Sequence, residues 1–247
     1  MEAEQVMHYN EQFYNNVWKN SRISSHRVWP IWKTIEQHIE PDCKLLELGP
    51  GMRPRIPVKD SYFIEISNKA VELLNSNGGN AVLPHKNSFL KKKGVFDVVC
   101  AFEVLEHIPD DETVLKQLSH AMNKDGMLFI SVPLHMEYWT ELDSVVGHYR
   151  RYDPAALESL LERNGFAIEG YAEDTIFSKV YTHKTLQKIA KYFMKKYTKL
   201  AMKLEFYCLR LLCAYARKFK PIMWKHDSLA TVNERASGVY VMCRKGN

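Results

Sequence analysis

Two glycines and two carboxylates follow the first apolar runs of the chain, where a ligand could be held against the backbone. The segment ELGPG at 47–51 overlaps the end of the apolar run KLLEL at 44–48. Because glycine has no side chain to keep a ligand away, Gly49 and Gly51 predict a loop in close contact with a bound nucleotide. Glu47 either holds this loop or accepts a hydrogen bond from a ligand amine. Glu65 ends the next apolar run, YFIEI, where a carboxylate accepts hydrogen bonds from the two hydroxyls of a ribose.

Groups that can accept a proton lie farther along the chain. Glu103 and His107 follow the apolar run FDVVCAF, and His148 lies in the polar segment GHYRRY. Histidine titrates near neutral pH, and a carboxylate can take a proton from a hydroxyl or an amine, so these three are the candidate catalytic residues. The alternative for His107 is to orient its loop or to touch a bound cofactor. For His148 a structural role is equally open.

The apolar runs predict a single doubly wound α/β domain. Short runs rich in Leu and Val are typical of parallel strands covered on both faces, and helical periodicity separates them at 68–74 and 111–122. Strands that alternate with helices form βαβ units and a mostly parallel sheet. Asp153 as N-cap, Pro154 at the first helical position and Gly165 as the stop predict one more helix. The predicted strands are 44–48, 62–66, 96–102, 126–132, 166–172 and a last one from residue 237.

We expect four segments along the chain. Residues 1–40 carry aromatic side chains at helical spacing and form an N-terminal helical cap, whose alternative role is core packing. Residues 41–173 form the ligand-binding core, and residues 237–247 add its last strand. Residues 174–236 are too long for an ordinary connection and therefore form a basic helical insertion.

Several motifs in this order resemble the class I S-adenosylmethionine-dependent methyltransferases. That superfamily has Glu-x-Gly-x-Gly after the first strand, an acid ending the second, and FDxVxxxxVLEHI across the fourth; this chain has ELGPG, Glu65 and FDVVCAFEVLEHI. GHYRRY at 147–152 is similar to a Gly-His-x-Arg-Arg-Tyr segment that many members carry after the fifth strand. The resemblance covers about residues 40–172 and the last strand. It implies a Rossmann-like, mostly parallel seven-stranded sheet with an antiparallel last strand, and S-adenosylmethionine as the cofactor.

The resemblance also implies which residues hold the cofactor. The glycine loop would lie along its methionine end, and Glu65 with Ile66 would lie at its ribose and adenine. Asn87 and Ser88 lie at the position that follows the family's third strand. The family usually has an acid there, near the adenine amine. The residues implied by the motifs are Glu47, Gly49, Pro50, Gly51, Glu65, Ile66, Asn87 and Ser88.

The chain departs from the family after the glycine loop, where members normally have a full helix. Only residues 52–61 precede the second strand, and Pro54 and Pro57 oppose a helix there. The cofactor's carboxylate then loses a helix N-terminus that could face it. Since a guanidinium matches a carboxylate with two parallel hydrogen bonds, we expect Arg53 or Arg55 to take this role.

The motifs imply a methyltransferase but leave its acceptor open among small molecules, saccharides and lipid-like compounds. The alternative is a cofactor-binding or degenerate protein of this fold that acts by interaction, without catalysis. A nicotinamide oxidoreductase is the weaker interpretation, since neither a third glycine nor a helix follows the loop. A nucleic-acid substrate is not expected, because neither a base-flipping loop of the Asn/Asp-Pro-Pro-Tyr/Phe type nor an RNA-binding module is recognisable.

Residue spacing and hydropathy bear on metals and location. The five cysteines are scattered without a Cys-x-x-Cys pair, and the ten histidines show no His-Glu-x-x-His motif, so we expect no metal site. The sequence shows neither a signal-peptide pattern nor a run of about eighteen apolar residues. The expected location is the cytoplasm. A peripheral position on the inner face of a membrane is compatible with it.

The basic segment at 179–225 predicts docking on an anionic membrane surface. It has thirteen Lys or Arg residues against the single acid Glu205, and its apolar residues repeat at helical spacing. The alternative is a lid whose apolar stripe packs on the core. Each basic residue near anionic headgroups contributes about 1 kcal/mol, so the chain should co-sediment with anionic but not neutral vesicles and should be released at high salt. An absence of binding to both vesicle types at low salt would contradict this prediction.

Overall fold

The structure is a computed structural model that describes residues 10–15, 18, 21–173 and 222–246. Within these residues, seven strands form one sheet. They are β1 (Leu45–Leu48), β2 (Tyr62–Ile64), β3 (Asn80–Val82), β4 (Phe96–Phe102), β5 (Met122–Pro133), β6 (Phe166–Glu173) and β7 (Gly238–Lys245). Their order is β3-β2-β1-β4-β5-β7-β6, with β7 antiparallel to both of its neighbours and the other six parallel to one another. The predicted Rossmann-like sheet is confirmed.

Short helices accompany the strands, and three of them begin with a capping side chain, of which Asp153 is the predicted one. They are α1 (Trp32–Ile35), α2 (Asn68–Ser76), α3 (Asp111–Ala121), α4 (Glu141–Val146) and α5 (Pro154–Arg163). The Ser67, Asp110 and Asp153 side chains each accept a hydrogen bond from a backbone N–H in the first turn of α2, α3 and α5. These bonds satisfy donors that have no partner within the helix. At the end of α5, Gly165 adopts a left-handed φ of 84°, which stops the helix.

The two faces of the sheet are covered by different parts of the chain. Alternate residues of a strand point to opposite faces, so Val98 and Val99 of β4 belong to two separate buried clusters. Leucines of α3 and α5 cover the face of Val99. Trp29, together with residues of α1 and α2, covers the face of Val98. This double coverage explains why β1 and β4 are apolar along almost their whole length.

Residues 52–61 contain no helix, as the sequence predicts. Pro54 and Pro57 lack the N–H that a helix interior needs, and the segment forms turns and bends instead. The sheet therefore has no helix in the first βα connection. The crevice where the strand order reverses, at the carboxyl ends of β1 and β4, is bordered there by irregular backbone.

Most of the basic segment lies outside the described residues, and its predicted helices and membrane contact lie there with it. Its last residues, 222–225, are described. Lys225 pairs with Tyr171 of β6 through two backbone hydrogen bonds, and its ammonium group lies 2.6 Å from the Glu173 carboxylate. The Trp224 indole N–H donates to the Thr34 hydroxyl at 3.0 Å. The Trp224 ring is half-buried and packs against the core cluster that contains Val98. Among the described helices, none has the length and apolarity to span a bilayer.

Candidate active site

The glycine loop leaves β1 in a conformation that depends on glycine. Gly49 and Gly51 have φ values of 58° and 53°, in the left-handed region that a residue with a Cβ rarely adopts. A Cβ on Gly49 would lie 2.6 Å from the Val104 side chain, and one on Gly51 would lie 2.6 Å from the Trp18 ring. Both positions therefore exclude side chains for two reasons, the backbone angle and the close approach of a neighbour.

Glu65 joins this loop to the end of β2. Its side chain is only 3% exposed, and its two oxygens accept hydrogen bonds of 2.8 Å from the Gly51 N–H and the Ser67 N–H. Burial raises the pKa of Glu65, and the two N–H donors oppose that shift. The carboxylate thus lies at the carboxyl edge of the sheet, directly beside the glycine loop.

Glu47 holds the segment that follows the glycine loop. It is buried in β1, and its carboxylate accepts from the Arg55 N–H at 2.8 and 3.1 Å and from the Ile56 N–H at 3.4 Å. Of the two roles that the sequence left open, the structure thus supplies the contacts for holding the loop. Burial raises the pKa of Glu47 to about 7, against the opposing effects of the Arg55 charge and the two backbone donors.

The two arginines of this segment have different surroundings. The Arg55 guanidinium lies 3.7 Å from the centre of the Trp29 ring and donates to the Arg53 carbonyl. The Arg53 guanidinium lies 5.4 Å from the centre of the Trp18 ring, the same ring that covers Gly51. Arg53 is therefore the arginine next to the glycine loop.

The residues predicted to lie at the adenine are less buried than Glu47 and Glu65. Ile66 follows Glu65 and is half-buried. Asn87 and Ser88 lie beyond a short turn after β3, which ends at Val82. The Asn87 side-chain oxygen accepts from the Phe89 N–H at 2.8 Å, and Ser88 is exposed. Asn87 thus stabilises its own loop.

Glu106, His107 and His148 meet just beyond the end of β4, and we call these three residues the acid–histidine cluster. The Glu106 side chain is fully buried, and its Oε1 lies 3.8 Å from His148 Nε2 and 4.0 Å from His107 Nε2. Among the described residues, neither oxygen of Glu106 has a hydrogen-bond partner. The Tyr14 hydroxyl lies 3.5 Å from His107 Nε2. Burial raises the pKa of Glu106 well above its ordinary value and, with the nearby His148, lowers the pKa of His107 to about 3.

Asp143 contacts the His148 ring at Nδ1, whereas Glu106 lies on the Nε2 side. Its carboxylate lies 2.9 Å from His148 Nδ1 and also accepts from the Arg151 guanidinium and from the Thr140 hydroxyl and N–H. Burial alone would raise the pKa of Asp143, but the His148 hydrogen bond and the Arg151 charge hold it well below its ordinary value. Because an ionised carboxylate only accepts hydrogen bonds, His148 Nδ1 donates to Asp143, and its Nε2 lies on the side of Glu106.

The structure brings two of the three candidate catalytic residues together. His107 and His148 lie in the cluster with ring centres 4.5 Å apart. Glu103 is separate: it is exposed, has a left-handed φ of 54°, and accepts a 2.7 Å hydrogen bond from the Ser131 hydroxyl. Sequence reasoning gave Glu106 no catalytic role and gave Asp143 no role at all. The Arg151–Asp143–His148 contact is the missed feature, and no motif spacing indicates it.

The match to known proteins agrees with this geometry. Residues 31–170, more than half of the chain, match a family model described as a methyltransferase domain. No curated protein matches the chain. Solved structures with the same fold include an S-adenosylmethionine-dependent methyltransferase of Thermotoga maritima, described as a possible histamine N-methyltransferase, at 15% identity and a TM-score of 0.57, covering 97% of this chain and 99% of that one.

Two further structures are similar at the level of the fold. Phosphoethanolamine N-methyltransferase 2 of Haemonchus contortus, solved with S-adenosyl-L-methionine, has 14% identity and a TM-score of 0.51, covering 89% of this chain and 53% of that one. Geranyl diphosphate methyltransferase, solved in complex with GPP and sinefungin, has 9% identity and a TM-score of 0.53, covering 87% of this chain and 76% of that one.

The buried Glu47 carboxyl gives a testable dependence of stability on pH. Its pKa is raised from 4.5 to about 7 in the folded chain, so between these values the folded state keeps a proton that the unfolded state has lost. The free energy of unfolding therefore falls as the pH rises through this window, by an upper limit of about 3 kcal/mol. In chemical denaturation without cofactor, the stability of Glu47→Gln relative to wild type should rise by up to that amount from pH 4.5 to 8. The exposed Glu40→Gln variant is the matched control, and a pH-independent difference for Glu47→Gln would contradict the assignment.

Proposed function

Because the chain belongs to the class I S-adenosylmethionine-dependent methyltransferases, we propose that it transfers the cofactor's methyl group to a small-molecule acceptor bound beside the acid–histidine cluster. The observation that carries this proposal is the convergence of three features at the carboxyl ends of β1, β2 and β4. These are the left-handed glycine loop, the Glu65 carboxylate and the cluster itself. In sheets of this kind, ligands bind where the strand order reverses.

The described residues fit S-adenosylmethionine, which when bound supplies a methyl group already activated on a sulfonium sulfur. A carboxylate offers about four lone-pair positions. Two backbone N–H groups engage Glu65, so it retains acceptor capacity for the two ribose hydroxyls. Gly49, Pro50 and Gly51 bring bare backbone to the methionine end. In this proposal Ile66 packs at the adenine, and the loop of Asn87 and Ser88 closes its far side.

Arg53 is the proposed partner of the cofactor's carboxylate. Arg55 is engaged with the Trp29 ring and the Arg53 carbonyl, whereas the Arg53 guanidinium lies beside the ring that covers the glycine loop. A guanidinium provides the two parallel donors that a carboxylate accepts. It also supplies the positive charge that a helix N-terminus would otherwise place there.

On the acceptor side, the protein must orient the nucleophile in line with the methyl group, exclude water and handle the acceptor's proton. Glu103, His107 and His148 stay the proposed groups for this work. His107 and His148 are better placed than Glu103, because they share a buried cluster while Glu103 is exposed. Tyr14 and Trp18 of the N-terminal segment cover the same region, which supports a cap formed by residues 1–40.

A small-molecule or lipid-like acceptor is the class that the relatives support. The relatives are named for histamine, phosphoethanolamine and geranyl diphosphate, which are small molecules or lipid precursors. A saccharide remains within the proposed range, and a nucleic acid lies outside it. Because the first helix of the family is absent here, a cofactor-binding interaction protein without catalysis is the second candidate. Turnover separates the two.

The proposed activity is tested by S-adenosylhomocysteine formation with cell extract fractionated into lipid, saccharide, small-metabolite and nucleic-acid pools. Wild-type protein should form the product with the small-metabolite or lipid pool. Gly49→Val is the matched control, since its branched side chain meets Val104 and strains the loop. Cofactor binding by wild type without turnover in any pool would favour the interaction protein.

Cofactor binding should depend on Gly49 and Glu65. By calorimetry, Gly49→Val should show no binding, because the side chain meets Val104 at a left-handed backbone position. Glu65→Ala should weaken binding by about 1.5 to 3 kcal/mol through loss of charged hydrogen bonds to the ribose. Circular dichroism controls for folding, with Glu72→Ala on the exposed face of α2 as the comparison variant. Wild-type affinity in both folded variants would contradict this site.

The role of Arg53 predicts a ligand-specific loss. Arg53→Ala should bind S-adenosylmethionine about tenfold or more weakly, the loss of one charged hydrogen-bonded pair, and should bind the decarboxylated analogue as wild type does. Arg55→Ala is the matched control, because its guanidinium lies on Trp29. An equal loss for both ligands in Arg53→Ala would indicate a folding role instead.

A further inference from the structure

We propose that Glu106, His107 and His148 bind one Zn²⁺ ion beside the acceptor site. The metal site itself stands on the geometry of the acid–histidine cluster, and only its part in methyl transfer rests on the proposed function. It departs from the expectation of no metal drawn from residue spacing, because Glu106 and His148 are separated by more than forty residues and meet only in the fold.

The first argument is the unsatisfied carboxylate of Glu106. Its side chain is 0% exposed, and neither of its oxygens has a hydrogen-bond partner among the described residues. An isolated buried carboxylate is costly and persists only when it is paired or coordinates a metal. Protonation would remove the charge but would leave an O–H whose imidazole neighbours are 3.8 and 4.0 Å away, beyond hydrogen-bond distance. A cation between the three side chains gives the Glu106 carboxylate the partner it lacks.

The second argument is the distance between the donor atoms. One nitrogen or oxygen from each of the three residues lies within 4.8 Å of the others. Tetrahedral Zn²⁺, with bonds of about 2.0 to 2.1 Å to nitrogen and oxygen, places its ligand atoms about 3.4 Å apart. Small side-chain rotations that shorten these separations complete the coordination.

The third argument is the support behind His148. Histidines that bind a metal almost always donate their other ring N–H to a carboxylate, carbonyl or water, which fixes the tautomer and the direction of the lone pair. His148 does this toward Asp143 at 2.9 Å. Asp143 is itself held by Arg151 and Thr140. The Nε2 atom of His148 therefore points toward Glu106 and the centre of the cluster.

The ligand set indicates the chemistry of the ion. Two imidazole nitrogens and one carboxylate form a known catalytic Zn²⁺ ligand set, and three protein ligands leave a fourth position open. With the ion bound, His107 and His148 would act on the acceptor through the metal instead of as bases, and an acceptor hydroxyl or thiol at the open position would lose its proton to solvent more readily. Its lone pair then forms the new bond to the methyl carbon as the carbon–sulfur bond breaks, and the electrons of that bond stay on sulfur.

Metal binding tests this directly and without turnover. The full chain, stripped with a chelator, is titrated with Zn²⁺ against a chromophoric competitor and with Co²⁺ as the spectroscopic probe. We expect one ion per chain and a four-coordinate Co²⁺ spectrum without thiolate charge-transfer bands. His148→Ala and Glu106→Gln should abolish this binding. Asp143→Asn, which keeps all three ligands, should weaken it by about 10- to 100-fold.

The matched control is His120→Ala, which removes an exposed histidine at the last turn of α3 and should bind Zn²⁺ as wild type does. No binding by wild type, binding unchanged in folded His148→Ala, or thiolate bands that place the ion at cysteines would overturn the proposal. S-adenosylmethionine binding to the metal-free protein is measured in parallel. Its loss counts against the proposed function, and Zn²⁺ binding counts for or against the metal site separately.

Discussion

The hydrogen bonds from the Arg55 and Ile56 N–H groups to the buried Glu47 carboxylate determine the shape of the cofactor side of the site. A βα connection normally satisfies its backbone donors within a helix, and residues 52–61 have none. Buried N–H groups need partners, and here a side chain of β1 supplies them. Glu65 does the same for Gly51 from the end of β2. Two buried carboxylates thus hold the glycine loop and the segment that follows it.

The hydrogen bonds to Glu47 also bear on where the two arginines lie. The Arg55 N–H is bonded to Glu47, and the Arg55 guanidinium lies over Trp29. Trp29 belongs to the core cluster on one face of the sheet. Arg53, two residues earlier, lies beside Trp18 and the glycine loop. In the proposed site, the Arg53 charge takes the place of a helix N-terminus. A guanidinium suits this role because its donors are arranged to fit a planar carboxylate.

The sequence was sufficient where local signals and the global fold agree. The apolar runs of β1 and β4, the N-caps Asp110 and Asp153, and the helix-opposing Pro54 and Pro57 all have local physical causes, so they were predictable. The acid–histidine cluster has no local cause. Asp143 lies in α4 with no motif to mark it, although its partners His148 and Arg151 are only five and eight residues away in the chain. The apolar periodicity of the N-terminal segment did not reveal which aromatic rings enter the core and which cover the glycine loop.

The N-terminal segment connects the two sides of the site. Trp18 covers Gly51, and Tyr14, whose ring is nearly parallel to that of Trp18 at 6.3 Å between centres, contacts His107. Asn10 donates to the Gly147 carbonyl next to His148. A ligand that reaches the backbone of Gly51 must contact or move Trp18, whose ring stacks on Tyr14. The glycine loop and the acid–histidine cluster therefore share one aromatic cover.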